Sequence, residues 1–188
     1  MEFTLKLRSK VLIRAIRPHV PRGAKLLDIG CGNAVVGDEV RKALGCQLTG
    51  TDVLSYLSRD IPFKLMSSPT RLDFADAEFD LGLIVDAVHH MEFETQILAI
   101  KESLRVCKTV LVFEVAPTWL AKQLDIGLNK IHNAEMNLCL THRNHTEWQE
   151  LFRQHGIPCR FEPVQKPFPG YPFRNYLFIL GAAATPKA

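Results

Sequence analysis

Leu5, Val11, Leu12, Ala15 and Ile16 recur at helical spacing among Lys6, Arg8, Lys10 and Arg14, which predicts an amphipathic helix over residues 4–18, halted by Pro21 and Gly23. The period then shortens. Residues 25–29 form a short, mostly apolar run that ends in Gly30-Cys31-Gly32, the pattern of a strand entering a tight turn. A helix over 34–44 closed by Gly45, a strand over 47–51 ending at Asp52, and a third strand over 63–66 follow. Residues 81–85 are a wholly apolar strand behind Phe79-Asp80, 95–106 have helical periodicity, and 109–115 read as a fifth strand. Strands alternating with helices predict βαβ units and a mainly parallel sheet, an α/β doubly wound fold with helices on both faces.

Beyond Pro117 the pattern changes. Residues 117–140 are amphipathic at helical spacing and longer than a simple crossover needs. Thr146 followed by Gln149 reads as a capping box, opening a helix that ends at Gly156. Strands over 160–164 and 176–180, separated by the proline-rich stretch 166–172, complete the count, and 182–188 read as a frayed tail.

Composition narrows the class. The chain has 188 residues, 47% hydrophobic and 23% charged, which suits one globular domain over 1–188. No apolar run is long enough to span a bilayer, and basic residues interrupt the N-terminal segment where a signal peptide needs an apolar core. Five cysteines form no CxxC and are odd in number, which suits reduced thiols and a cytoplasmic protein. Net charge is only +3, yet residues 1–25 carry seven basic side chains against Glu2 alone. The excess is read as the solvated face of the first helix rather than a nucleic-acid surface.

The candidate chemistry centres on Leu26-Leu27-Asp28-Ile29-Gly30-Cys31-Gly32-Asn33-Ala34. Glycines at a strand's end allow a sharp turn and close approach of a ligand, and the next helix presents free N–H groups. Asp52, ending the second strand, is placed to accept ribose hydroxyls at the carboxyl edge of the sheet. Together these residues resemble the class I S-adenosylmethionine-dependent methyltransferases over nearly the whole chain. The family's D/E-x-G-x-G-x-G signature matches Asp28, Gly30 and Gly32, with Ala34 in place of the last glycine, and its second-strand acid matches Asp52. Phe79-Asp80, Val88-His89-His90 and Thr146-Glu147-Trp148 with Leu151-Phe152 and Gly156 continue the likeness.

The resemblance implies a Rossmann-like, seven-stranded sheet and S-adenosyl-L-methionine as cofactor, with S-adenosyl-L-homocysteine as product. It implies cofactor contacts at Asp28, Gly30, Cys31, Gly32, Asp52, Val53, Ser68 and Asp86. One departure stands out: where the family often has an acid and then a usable N–H after the third strand, this chain has Ser68 and Pro69, and Pro69 has no N–H.

Methyl transfer is an in-line displacement on a sulfonium carbon, so the protein must align the acceptor and exclude water, with a base only for a protonated nucleophile. Asp86, interrupting the apolar fourth strand at its end, His89, and His142 are the candidates for that chemistry. Residues 117–145 are expected as a helical lid. Cys139, His142 and His145, with His132 upstream, match no strong zinc spacing, and no metal is expected. The expected acceptor is a small molecule, with RNA or protein as the alternative. A nicotinamide-dependent dehydrogenase would need glycine where Val35 stands, and a non-catalytic cofactor-binding protein of the same fold is the other rival.

Overall fold

The computed structural model describes residues 2–119, 123, 141–169, 171 and 173–181. Its centre is β1 (Lys25–Ile29), in which every residue after Lys25 is buried, because strands and helices cover it on all sides. β1 runs parallel to β2 (Gln47–Asp52) on one side and to β4 (Phe79–Val85) on the other, with Asp28 level with Gly50 and Leu83. β3 (Phe63–Leu65) extends the parallel set beyond β2, and β5 (Cys107–Val115) beyond β4. β7 (Asn175–Gly181) then adds antiparallel to β5, and β6 (Cys159–Val164) antiparallel to β7. Among the described residues the result is a seven-stranded, mainly parallel, Rossmann-like sheet in the order β3-β2-β1-β4-β5-β7-β6.

Strand alternation assigns each face its own core. Leu26, Leu83, Leu111 and Phe113 point to α1 (Glu2–Ile16) and α2 (Val35–Leu44), meeting Leu12, Ile16, Val40 and Leu44. Leu27, Ile84, Val110 and Val112 point the opposite way, to α3 (Phe93–Val106) and α4 (His145–Gln154), meeting Ile100, Trp148 and Phe152. Helices therefore cover both faces, as the doubly wound reading expects. No helix among the described residues is long and apolar enough to cross a membrane.

Boundaries differ from expectation for local reasons. β4 starts at Phe79 rather than Leu81 because Phe79 already pairs with Cys107, so β5 begins directly where α3 ends. α1 tightens at Ile16 into a 3₁₀ turn, Arg17–His19, that carries Pro18 at its start. The capping box of α4 is built by Asn144 and Glu147, not by Thr146 and Gln149. Asn144 is extended, its side chain accepts from the Glu147 N–H at 3.0 Å, and Glu147 accepts from the Asn144 N–H at 2.7 Å. Most of the segment expected as a lid, residues 120–140 apart from 123, lies outside the described residues.

Candidate functional site

The carboxyl ends of β1, β2 and β4 converge on one cleft. After β1 the chain reverses through Gly30 at φ +74°, whose N–H donates to the Thr51 carbonyl at 2.8 Å, as Cys31 N–H does at 3.1 Å. A Cβ on Gly30 would stand 2.9 Å from Cβ of Ala87, so only glycine lets the turn lie against the loop after β4. Ala34, where the signature expects glycine, takes the same left-handed conformation at φ +63° and leads into α2.

Asp52 ties this turn to β2. Its Oδ2 accepts from the Gly32 N–H at 2.8 Å and its Oδ1 from the Leu54 N–H at 3.2 Å. A carboxylate has about four acceptor positions, so two remain for a ligand. They face a cavity of about 490 Å³ lined also by Gly30, Gly32, Val53, Met66, Asp86 and His90. Val53, Leu54 and Tyr56 expose apolar surface at its lip. Ser68 is not on this wall: its hydroxyl pairs with that of Thr70 at 2.9 Å, and Pro69 lines the cavity instead.

A smaller recess of about 280 Å³ adjoins it, lined by Arg8, Asp28, Cys31, Asn33, Tyr56 and Asp86. Burial, and secondly the Asp52 charge, raise the Asp28 carboxyl from its ordinary 3.8 to about 7. Burial and the same two acids push the Cys31 thiol well above its usual range, which makes it inert as a nucleophile. Asp86 takes a left-handed conformation at φ +47°, held by its N–H bond to the Phe113 carbonyl at 2.9 Å, and its side chain pairs with Arg8 of α1. It does not cap the turn that follows: the Val88 N–H goes to Oε1 of Glu114 at 3.1 Å.

That turn, Val88–His90, divides its two histidines. His89 is buried, with Nδ1 2.5 Å from Oε2 of Glu114, while its carbonyl accepts from the Thr141 N–H at 2.9 Å. The ring of His142 stacks on His89 at 4.4 Å, behind the cavity wall. His90 is the histidine that lines the cavity, with Met91, Glu92 and Thr95 continuing the wall. Sequence reasoning singled out neither Arg8, Tyr56, Met66 nor His90 as the facing residue; only the paired histidines gave a signal. Ligand atoms of Asp86, His89 and Glu114 fall within 4.8 Å of one another. Within that grouping, Nδ1 of His89 meets Oε2 of Glu114 at 2.5 Å. Of the grouping considered for zinc, Cys139 and His132 lie outside the described residues, and His145 stacks on Phe161 at 4.9 Å, a different place from His142.

A glycine turn that tolerates no Cβ, an acid with open acceptor positions and a neighbouring acidic recess together fit a nucleoside carrying a cationic amino-acid tail. Comparison with known proteins bears on part of the chain and on the fold. Residues 27–110 match the model of a methyltransferase domain. No curated protein sequence matches the chain. Among solved structures, a methyltransferase in complex with the Haloferax volcanii methyltransferase activator is 15% identical, with TM-score 0.68, over 96% of this chain and 93% of that one. An S-adenosylmethionine-dependent methyltransferase from Methanosarcina mazei is 17% identical, with TM-score 0.66, over 89% and 96%. The Burkholderia thailandensis 1,6-didemethyltoxoflavin N1-methyltransferase, solved with S-adenosylhomocysteine, is 14% identical, with TM-score 0.64, over 92% and 76%.

Proposed function

We propose that this chain is a class I S-adenosylmethionine-dependent methyltransferase that transfers the methyl group to a small-molecule acceptor by in-line displacement, a reading supported by the methyltransferase-domain match over residues 27–110 and by the fold. The observation that carries this reading is Asp52, locked to Gly32 at the mouth of the larger cavity with two acceptor positions open.

In this reading Asp52 holds the ribose hydroxyls and the apolar lip of Val53 and Leu54, with Met66 and Pro69, packs the base. Bound there, the cofactor supplies an activated methyl group, and the rest falls to this chain's residues. The cleft aligns the acceptor and sheds water. Asp86 and His90 face the cavity and are the groups placed to orient an acceptor or take its proton. His89 and His142 act from behind the wall, where Glu114 fixes the turn that presents His90. A cavity of about 490 Å³ suits a compact organic acceptor beside a nucleoside rather than a folded macromolecule. At the rim of the cavity, the Thr141 hydroxyl donates to the Met91 carbonyl at 2.8 Å. The protein works in the cytosol, a reading supported by the unbridged thiols of Cys31, Cys46, Cys107 and Cys159.

Titration calorimetry with S-adenosylmethionine, S-adenosylhomocysteine and NAD tests the assignment. Saturable heat with the first two and none with NAD is expected. Binding of NAD alone, or of none of them, overturns it.

A further inference from the structure

The ion pair between α1 and the end of β4 has an unusual setting. Arg8 and Asp86 are partly desolvated, at 24% and 17% side-chain exposure, so neither is an ordinary surface partner. Asp86 keeps one oxygen, Oδ1, buried and without a hydrogen bond among the described residues, although it holds a backbone conformation that L-residues rarely adopt. The pair lines the smaller recess with Asn33 and buried Asp28, and this recess shares Gly30, Gly32, Tyr56, Val85 and Asp86 with the larger cavity. The recess thus offers two carboxyl groups and one guanidinium at the far end of a nucleoside-sized cavity. An α-amino acid end presents the complement, one ammonium and one carboxylate. Arg8, with its planar fork, is the residue type suited to a carboxylate.

We infer that Arg8 is a cofactor-binding residue that receives the α-carboxylate of the cofactor's methionyl end while Asp86 turns to its ammonium. α1 is then a wall of the site rather than only a cover for the sheet. The cofactor inserts its own two charges between Arg8 and Asp86 and replaces one ion pair by two. The basic residues of α1 divide accordingly, since Lys6 and Lys10 are exposed and Arg8 turns inward.

This rests on the methyltransferase reading, and the test separates the two. Calorimetry compares S-adenosylhomocysteine with its methyl ester, whose carboxylate is neutralised, on wild type and on Arg8→Gln. Wild type is expected to bind the acid roughly ten- to a hundredfold more tightly than the ester, and Arg8→Gln to bind both alike, at the ester's wild-type affinity. Equal affinity for acid and ester in wild type overturns the inference while leaving the methyltransferase reading intact, as does a full preference surviving in Arg8→Gln. Failure of wild type to bind either compound removes both readings. The wild-type comparison decides the matter alone if the variant does not fold.

Discussion

Two acids in neighbouring strands, Asp28 in β1 and Asp52 at the end of β2, make sharply different predictions. Asp52 lines the cavity, and on the proposed function its loss acts on binding: Asp52→Ala would remove charge-assisted hydrogen bonds to the ribose hydroxyls, on the order of 1.5–3 kcal/mol. Calorimetry should show cofactor affinity falling at least about tenfold, and unchanged affinity would remove the residue from the site. Asp28 is buried, and its effect is on stability. Its carboxyl titrates at about 7 in the folded chain against 3.8 ordinarily, so between those values the folded state holds a proton that the unfolded state has lost. Stability from this group is complete below about 4, declines as pH rises, and is gone above about 7. Asp28→Asn should abolish that slope, so urea midpoints of wild type and variant should converge towards low pH and part towards neutrality with the variant the more stable. Parallel profiles would contradict the burial argument. The position of both acids beside the glycine turn was legible from sequence, because acids near the ends of adjacent parallel strands come together at one edge of the sheet. The choice between His89 and His90 was not legible, because it is made by Glu114, a residue on another strand.

Elements were legible in kind and blurred at their ends. The strand over 25–29 and the helix ending at Gly45 coincide with expectation because glycines in left-handed conformations terminate them. The α4 cap was displaced because Asn144 and Thr146 both suit the position, and the backbone that selects Asn144 is set by the preceding chain docking on the Val88–His90 turn. Asn144→Ala should cost about 1 kcal/mol, read as a lowered melting temperature. Within α2, helix propensity and packing oppose each other at Gly37. Alanine gains about 1 kcal/mol in an open helix. Here its Cβ would stand 2.2 Å from Oδ2 of Asp28, and overpacking of that kind costs about 1–3 kcal/mol. The clash wins, so Gly37→Ala should melt lower than wild type; a higher melting temperature would show that Asp28 can swing away. The Val88–His90 turn depends on Glu114 in the same way. Glu114→Ala strands the Val88 N–H and the His89 ring, at about 3 kcal/mol or more, while Glu114→Gln keeps an acceptor and should lose less. A denaturant midpoint for Glu114→Ala equal to that of wild type would show the pair to be dispensable.

At the scale of the whole molecule, α/β alternation was readable because each face of a parallel sheet needs its own helices, and two apolar cores follow from that. The spatial order of strands was not, since nothing local in residues 175–181 announces that they slot between β5 and β6. That placement has a consequence for how the protein is made. β5 is mostly apolar and buried everywhere but at Lys108, yet its second neighbour, β7, is translated long after it, and β6 must pair through β7. On the ribosome, the nascent sheet therefore ends in an unpaired hydrophobic edge until residues 175–181 emerge, a template for mispairing between chains. Slow emergence of that last segment, or a premature stop before it, should divert the polypeptide to chaperones and inclusion bodies even though every residue lining the larger cleft has already been synthesised.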